Sequence, residues 1–348
     1  MSTPRHLPFA EWPAADQAAW DALFVAGDIL DGEGPARHWA PATRHTNLYH
    51  YAQWLGWLQT NGLLLALAPG QRPWQRATLE TVTAYGKSLL AGRSPSTVAS
   101  AVIGLKCVLI RMAPDHDWQW LRDLTNRLKT WTRRTTPRPT PILLSLPAVF
   151  ETCLGRLEDL RGKSCLGPSE PTAYRNTLII ALLAACPIRL RNLAMIEIGK
   201  HLIGSNVQWW LDFDAHETKT REPLRYPLPA DLAPHLVWYI THIRPQYRGA
   251  DETARLWMGR KKAPMSHEAI YGAVTSTSKS LLGTRLSPHE FRSLAATFLS
   301  EASASDSLHA RALLGHRNPS TTHDHYIRAS SVEASRKIAS ALRRVRDG

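Results

Sequence analysis

The sequence is poor in cysteine, with four residues in 348 and no Cys-x-x-Cys pair. Cys107, Cys153, Cys165 and Cys186 are instead scattered along the middle of the chain. Neither a disulfide framework nor a zinc ribbon fits that distribution. The fold must therefore rest on hydrophobic cores, and the chain is long enough to build two domains of ordinary size.

Long hydrophobic runs are also missing. The longest apolar stretch, LIIALLAAC at 178–186, is far shorter than the ~20 residues that cross a bilayer as a helix, and Pro187 ends it. The first twenty residues carry acidic residues and prolines where a signal peptide has a basic segment and an apolar one. We expect a soluble, cytosolic protein with no membrane partner.

Acidic residues are scarce relative to basic ones. Lys and Arg number 42 against 29 Asp and Glu, which gives a net charge of +13. A hydrophobic fraction of 44% excludes a disordered chain, so the charge belongs to a folded surface. Such an excess favours a polyanionic partner, of which nucleic acid is the commonest, although some proteins are basic without one.

The first half of the chain has the pattern of a helical domain. After a Pro- and Ala-rich extension at 1–40, expected to wrap loosely, Tyr51, Trp54, Leu55 and Leu58 form one apolar stripe at helical spacing. Three more helical segments follow, at 78–92, at 94–113 with Ser96 as a cap, and at 118–131. We predict a helical domain at 41–131.

The segment TRRTTPRPTP at 132–141 separates this domain from the rest. It contains three prolines and no acidic residue, which predicts an extended linker. Arg133, Arg134 and Arg138 would suit contact with a phosphate backbone, although a run of solvated charge is the simpler interpretation.

The second domain, at 142–348, opens with helical segments at 147–160 and 173–186. VQWWLDFD and REPLRYPLP then alternate like strands around the polar AHETKT, which predicts a β-hairpin with Lys219 near its tip. The chain is helical again from Ser266. The fold class is mainly α with a small β-sheet.

The segment RLSPHEFRSL has the signature of a helix start. Ser287 is the cap, Pro288 lies in the first turn and Glu290 completes a capping box. His289 and Arg292 then project away from the apolar stripe, about 60° apart, beside backbone N–H groups that favour an anion. An ordinary exposed polar face would give the same pattern.

Further candidates lie on either side. In ACPIRLRNL, Arg189 and Arg191 are set among apolar residues and need partners. In LLGHRNP, Gly315 stops a short helix, so His316 follows a fixed end. Tyr326 comes after a Ser-Thr-Thr run. His323, Asp324 and His325 could bind a metal, but adjacent residues on a helix point in different directions and no His pair has i, i+4 spacing.

Taken in chain order, these residues resemble the tyrosine recombinases of the phage-integrase family. The resemblance rests on Arg189, the hairpin Lys219, the HEFR and LLGH motifs, and a terminal His-Tyr pair. It covers roughly 140–348. The helical first half is similar in kind, with lower specificity, to the core-binding domain of that family, which contacts DNA.

The resemblance implies chemistry without metal or cofactor. Tyr326 would attack a scissile phosphodiester, form a 3′-phosphotyrosyl bond and release a 5′-hydroxyl. Arg189 and Arg292 would hold the non-bridging oxygens, and Lys219 would protonate the leaving oxygen. His289 would bind phosphate and accept the tyrosine proton, and His316 would donate to the phosphate.

Three departures from the family pattern leave alternatives open. Pro187 stands where a small residue usually precedes the first arginine, and Arg191 is a rival to Arg189. Lys200 or Lys261 could replace Lys219, because hairpin turns vary in length. His325, directly before Tyr326, could tune the phenol or merely contact DNA.

The resemblance also implies double-stranded DNA with specific recombination sites as the partner, and a homo-oligomer, dimer to tetramer, assembled on it. The basic tail after Tyr326 would dock on a neighbouring protomer. Three other classes compete: a non-catalytic DNA-binding regulator, a type IB topoisomerase-like strand transferase, and a His/Asp metallonuclease.

Overall fold

A computed structural model describes residues 6–27, 32–135, 144–204, 208–259, 261–302, 335 and 338–340. The chain divides into two compact units, Met1–Thr140 and Pro141–Gly348. Helices build the first unit, and the second combines helices with a three-stranded sheet. The predicted fold class, mainly α with a small sheet, is confirmed.

Five α-helices form the described part of the first unit: α1 (Ala14–Ala22), α2 (Pro41–Thr60), α3 (Leu79–Leu90), α4 (Pro95–Met112) and α5 (Gln119–Thr135). The predicted stripe of α2 is buried throughout. The predicted cap of α4 is wrong by two residues. Ser94, not Ser96, accepts a hydrogen bond from the Thr97 N–H at 3.3 Å, because Pro95 lacks an N–H and suits the first helical position.

The first forty residues, expected to wrap loosely, contribute to the core of this unit over the described ranges 6–27 and 32–40. Leu7, Trp12, Trp20 and Leu23 are nearly fully buried in one cluster with the helices that follow. The prolines of this stretch interrupt its helical periodicity, so the sequence did not indicate helix α1. That helix nevertheless buries Trp20 in the core.

Helix α4 is long and apolar enough to cross a membrane by length and composition, with a mean hydropathy of 1.4 over 18 residues. Its apolar side chains are instead used inside the first unit. Val98, Val102, Leu105 and Leu109 are buried at helical spacing. This is the pattern of a core helix.

Helix α5 runs further than predicted. It continues to Thr135, so Arg133 and Arg134 lie in its last turn and not in an extended linker. Cations are favoured at that end because the helix dipole is negative there, and the first proline comes only at Pro137. Arg138 lies outside the described residues.

The second unit begins with a pair of packed helices, α6 (Leu146–Arg161) and α7 (Glu170–Ala185). Every residue of α7 from Leu178 to Ala185 is buried, because other elements of the unit surround the helix. The apolar run at 178–186 is therefore the centre of this core.

A sheet of three antiparallel strands follows: β1 (Leu202–Gly204), β2 (Trp209–Phe213) and β3 (Leu224–Pro227), in the order β1-β2-β3. Leu211 lies opposite Tyr226, and both are fully buried. The predicted hairpin is β2 with β3. Strand β1 was not predicted, because it has only three residues.

The remaining helices are α8 (Leu190–Met195), α9 (Ala233–Trp238), α10 (His267–Leu282) and α11 (Pro288–Ala302). Ser266 caps α10, and Gly283 ends it with φ +70°, a left-handed conformation that glycine adopts at little cost. Helices α8, α10 and α11 contribute residues to the candidate site described below.

Part of the C-terminal tail packs against its own unit. Ser335 Oγ donates to the carbonyl oxygen of Pro227 on β3 at 3.2 Å, and Ile338 is fully buried in the same core as α7 and the sheet. The tail was expected to dock on a neighbouring protomer. The described tail residues dock instead in their own chain.

Candidate active site

A cavity of about 560 Å³ in the second unit collects four of the candidate residues. Arg189, Lys219, His289 and Arg292 all line it. They come from three separate segments of the chain, which only the folded structure brings together. Two of the four are arginines and one is a lysine, so the cavity wall is rich in cationic side chains.

Arg189 is positioned by the end of the core helix α7. The chain leaves α7 in an extended conformation, and Arg189 then caps the short helix α8 with φ −70° and ψ 148°. Ile188 and Leu193 on either side are fully buried. The arginine is thus fixed by its neighbours and half-buried at the cavity wall.

Lys219 lies in the connection between β2 and β3, as predicted, and is exposed. Thr218 closes this connection, since its Oγ1 donates to the Glu222 carbonyl at 2.7 Å and accepts from the Glu222 N–H at 3.1 Å. Arg221 takes a left-handed conformation, φ 55°, which turns the backbone sharply. The turn holds Lys219 and Thr220 at the cavity.

His289 and Arg292 lie in the first two turns of α11, and the predicted capping box is confirmed. The Ser287 N–H donates to Glu290 Oε2 at 2.6 Å, and the Glu290 N–H donates to Ser287 Oγ at 3.4 Å. His289 is exposed and Arg292 is buried, with 6% exposure.

The Arg292 guanidinium is held in place by a hydrogen bond to a distant part of the chain in the same unit. Its Nη1 donates to the carbonyl oxygen of Pro187 at 2.6 Å, over 105 residues of chain. Burial and the nearby cation of Arg189 lower the pKa of Arg292 to about 10, although Tyr226 opposes them. The side chain stays charged at neutral pH. An anion in the cavity would lower the electrostatic cost of placing two cations together.

The cavity separates the predicted residues from their rivals. Arg191 is exposed and does not line it, whereas Arg189 does. Lys200 is engaged elsewhere, since its Nζ lies 2.6 Å from Glu217 Oε1, which raises the pKa of Lys200. Lys261 is exposed and is also absent from the lining.

Five further residues line the cavity, and two of them, Thr220 and Tyr271, were not singled out by the sequence. Tyr271, near the start of α10, is 43% exposed, although that helix packs in the core. Thr220 contributes a buried hydroxyl that makes no hydrogen bond among the described residues. Ser287 is also part of the wall. The proximity of Thr220 to Lys219 is the one signal that the sequence offered.

His316, Tyr326 and the His323–His325 run lie outside the described residues. Within the described ranges, no group of three or more His, Cys, Asp or Glu side chains is arranged to hold a metal ion. The described wall of the cavity offers cations and hydrogen-bond donors, which suit a phosphate diester better than a metal.

Comparisons with known proteins identify the family. The phage integrase family model matches residues 160–333, half of the chain, and that range includes all the candidate catalytic residues. No curated protein matches the sequence. The fold and the family match together define a tyrosine-type DNA recombinase. The chain belongs to the phage integrase family.

Two solved structures of XerH recombinase share the fold. XerH site-specific recombinase bound to difH substrate, a pre-cleavage complex, has a TM-score of 0.52 at 14% identity over 87% of this chain and 80% of that chain. A post-cleavage XerH complex with palindromic difH substrate has a TM-score of 0.52 at 13% identity over 88% of this chain and 80% of that chain. The integrase from mycobacterium phage Brujita has 0.38 at 16% identity over 87% and 88%. At such identities, the XerH structures support the mainly helical fold alone.

Proposed function

We propose that this recombinase cuts and rejoins double-stranded DNA through a 3′-phosphotyrosyl bond to Tyr326, without metal or ATP. The observation that carries the proposal is the convergence of Arg189, Lys219, His289 and Arg292 on one cavity from three separate segments. Tyr326 lies within the range that the family model matches.

The proposed step conserves bonds and charge. The Tyr326 oxygen attacks phosphorus, the bond from phosphorus to the 5′-oxygen breaks, and one phosphotyrosyl ester replaces one phosphodiester. His289 accepts the phenol proton, and Lys219 Nζ gives a proton to the leaving 5′-oxygen. The reverse attack by another 5′-hydroxyl rejoins the strand.

The two arginines have a different task from the lysine. Charge on the phosphate oxygens increases during the attack, and a guanidinium offers paired N–H donors that fit two such oxygens at once. Arg292 is buried and anchored, so it is preorganised before DNA arrives. His316 would supply a further donor.

Duplex DNA carrying specific recombination sites is the proposed partner, since the chain carries a net charge of +13 and the two XerH structures are complexes with DNA substrates. The proposed division is a core-binding domain at 41–131 that contacts the duplex, a basic connection at 132–141 and a catalytic domain at 142–348. Arg133, Arg134 and Arg138 would contact phosphates, so affinity would fall steeply with salt. We propose assembly on DNA as a dimer to tetramer, acting on cytoplasmic DNA.

The deciding experiment uses a suicide DNA duplex with a nick beside the cleavage site, in the presence of EDTA. Wild-type protein is expected to form an SDS-resistant protein–DNA adduct, and Tyr326→Phe none, because the phenol oxygen is the attacking atom. Denaturing electrophoresis of labelled DNA measures both.

Each other outcome has a definite meaning. An adduct that persists in Tyr326→Phe would assign the nucleophile to another residue. Cleavage that leaves no adduct and is abolished by EDTA would favour the His/Asp metallonuclease. DNA binding without any adduct, on a sequence that is bound tightly, would favour a non-catalytic regulator. Relaxation of supercoils without paired sites would favour a type IB topoisomerase-like enzyme.

A matched pair of variants tests which arginine acts. Arg189→Met is expected to slow adduct formation by about 10²–10³-fold, the usual cost of one donor to a developing oxyanion, whereas Arg191→Met keeps nearly the wild-type rate because Arg191 lies outside the cavity. Single-turnover cleavage at saturating protein measures both. The reverse ranking would exchange the two assignments.

A further inference from the structure

A buried carboxylate lies two residues before Lys219, and the proposed reaction makes no use of it. The Glu217 side chain is only 5% exposed. Its Oε1 accepts hydrogen bonds from Lys200 Nζ at 2.6 Å and from His201 Nε2 at 3.0 Å, and its Oε2 accepts from the Asp214 N–H at 3.1 Å. Three donors therefore compensate the burial of this charge.

The histidine in this cluster has a defined tautomer. His201 is buried, and its Nδ1 accepts the Glu197 N–H at 3.1 Å, so that nitrogen carries no proton. The proton of the neutral ring is then on Nε2, which points at Glu217. Phe213 on β2 stacks on the imidazole, with ring centres 5.3 Å apart. The ring is thus held at both nitrogens and on one face.

Glu217 also connects the two sides of the cavity. Its carbonyl oxygen accepts from Asn192 Nδ2 at 3.4 Å, and Asn192 follows Arg189 by three residues on α8. On the other side, Thr218 begins the closed turn that carries Lys219. The position of Glu217 therefore sets where the turn starts relative to Arg189.

The charge of this anchor is constant over the working range of pH. Burial alone raises the pKa of Glu217, but the hydrogen bonds from Lys200, His201 and the Asp214 N–H outweigh it and lower the pKa to about 2. A depressed carboxyl pKa stabilises the folded state above the ordinary pKa of the group and loses that effect as pH falls towards 2. The anchor is therefore permanent at neutral pH.

We propose that Glu217, clamped by His201 and Lys200, is a positioning residue that sets the Lys219 ammonium in the cavity for protonation of the leaving oxygen. This inference rests on the role proposed above for Lys219. Lys219 itself is exposed on a turn, so its own surroundings do not fix it. The buried neighbour supplies the rigidity.

The alternative is that Glu217 stabilises the fold and nothing more. A substrate with sulfur in place of the bridging 5′-oxygen separates the two roles. A thiolate is a far weaker base than an alkoxide, so it leaves without a proton from Lys219. A defect that acts through proton donation disappears with this substrate, whereas a defect in folding or DNA binding persists.

The test uses the full-length protein and measures single-turnover adduct formation on matched suicide duplexes with bridging oxygen or sulfur. The rate of adduct formation by Lys219→Ala is expected to fall about 10²–10⁴-fold on the oxygen substrate, the range for a general acid. On the sulfur substrate the rate is expected to return to that of the wild type. The rate of adduct formation by Glu217→Gln is expected to fall about 10²-fold on the oxygen substrate, as for a misplaced catalytic group. On the sulfur substrate the rate is expected to return to that of the wild type.

Two further variants keep the test decisive if Glu217→Gln folds poorly. Lys200→Met removes the exposed donor of the cluster and is expected to give a smaller loss of the same kind, with recovery on sulfur. Glu222→Gln is the control, because Glu222 lies in the same connection and bonds to Thr218 through its backbone. It is expected to match wild type on both substrates.

Equal losses of Glu217→Gln on oxygen and sulfur, or no loss on oxygen, would overturn the inference while leaving the role of Lys219 intact. A Lys219→Ala defect that sulfur fails to rescue would instead overturn the role of Lys219, and the positioning inference with it. Formation of the Tyr326 adduct tests the proposed function separately.

Discussion

Replacing Arg292 with Met is expected to slow DNA cleavage by about 10²–10³-fold, the cost of one preorganised donor to a developing negative charge. The same variant is expected to keep or raise the unfolding temperature. The guanidinium is buried beside the like charge of Arg189, which lowers its pKa to about 10, and an unbranched apolar side chain removes that repulsion. Single-turnover cleavage and thermal unfolding measure the two effects.

The loss of the hydrogen bond to Pro187 opposes the stabilising effect, since the carbonyl oxygen is left without this donor. Arg191→Met serves as the control for removing an arginine from the same region, because that side chain is exposed. A large drop in the unfolding temperature of Arg292→Met, together with normal cleavage, would identify Arg292 as a structural residue.

The second large effect concerns the stability of the first unit. Replacing Asp16 with Leu is expected to lower the free energy of unfolding by about 3–5 kcal/mol, because it leaves a buried charge without its counterion. Asp16 is fully buried and accepts from Tyr51 OH at 2.8 Å and from Arg76 Nη1 at 2.9 Å on Oδ2. Urea unfolding followed by tryptophan fluorescence measures the loss, since nine of the 13 tryptophans lie within Met1–Thr140.

A double variant distinguishes the ion pair from simple packing. Asp16→Leu with Arg76→Met is expected to recover much of the loss, because a buried pair replaced by apolar residues is often close to neutral. Asp21→Ala is the control on the same helix, since Asp21 is exposed. If the double variant were less stable than Asp16→Leu alone, Arg76 would have a stabilising role beyond this pair.

Local signals in the sequence were sufficient for much of the fold. The stripe through Tyr51 and Trp54 predicts α2 because helical periodicity is a property of neighbouring residues. The capping box of Ser287 and Glu290 likewise needs only four residues. The cap of α4 was misplaced at Ser96 because Ser94 and Ser96 are both good caps, and only the position of Pro95 decides between them.

The first forty residues show where local signals fail. Their prolines and alanines give no clear periodicity, so Trp12 and Trp20 were not recognised as core residues. Asp16 gave no sign of burial, because a carboxylate is buried only where distant groups compensate it. Arg76, which does so, is 60 residues away.

The order of residues along the chain was sufficient to indicate the class of protein. The order of Arg189, Lys219, His289 and Arg292 along the chain, with His316 and Tyr326 after them, was enough to indicate a tyrosine recombinase, because that order follows the chain and needs no coordinates. The family match over 160–333 confirms the class.

The folded structure was needed to show which groups share a cavity. Arg189 and Lys219 line the cavity, whereas Arg191 and Lys200 do not. Arg292 forms its hydrogen bond with Pro187, which is distant in the sequence. The structure also revealed the buried cluster around Glu217. The physical reason is that periodicity and capping depend on a few adjacent residues, whereas burial and charge compensation depend on side chains that packing brings together from distant parts of the chain.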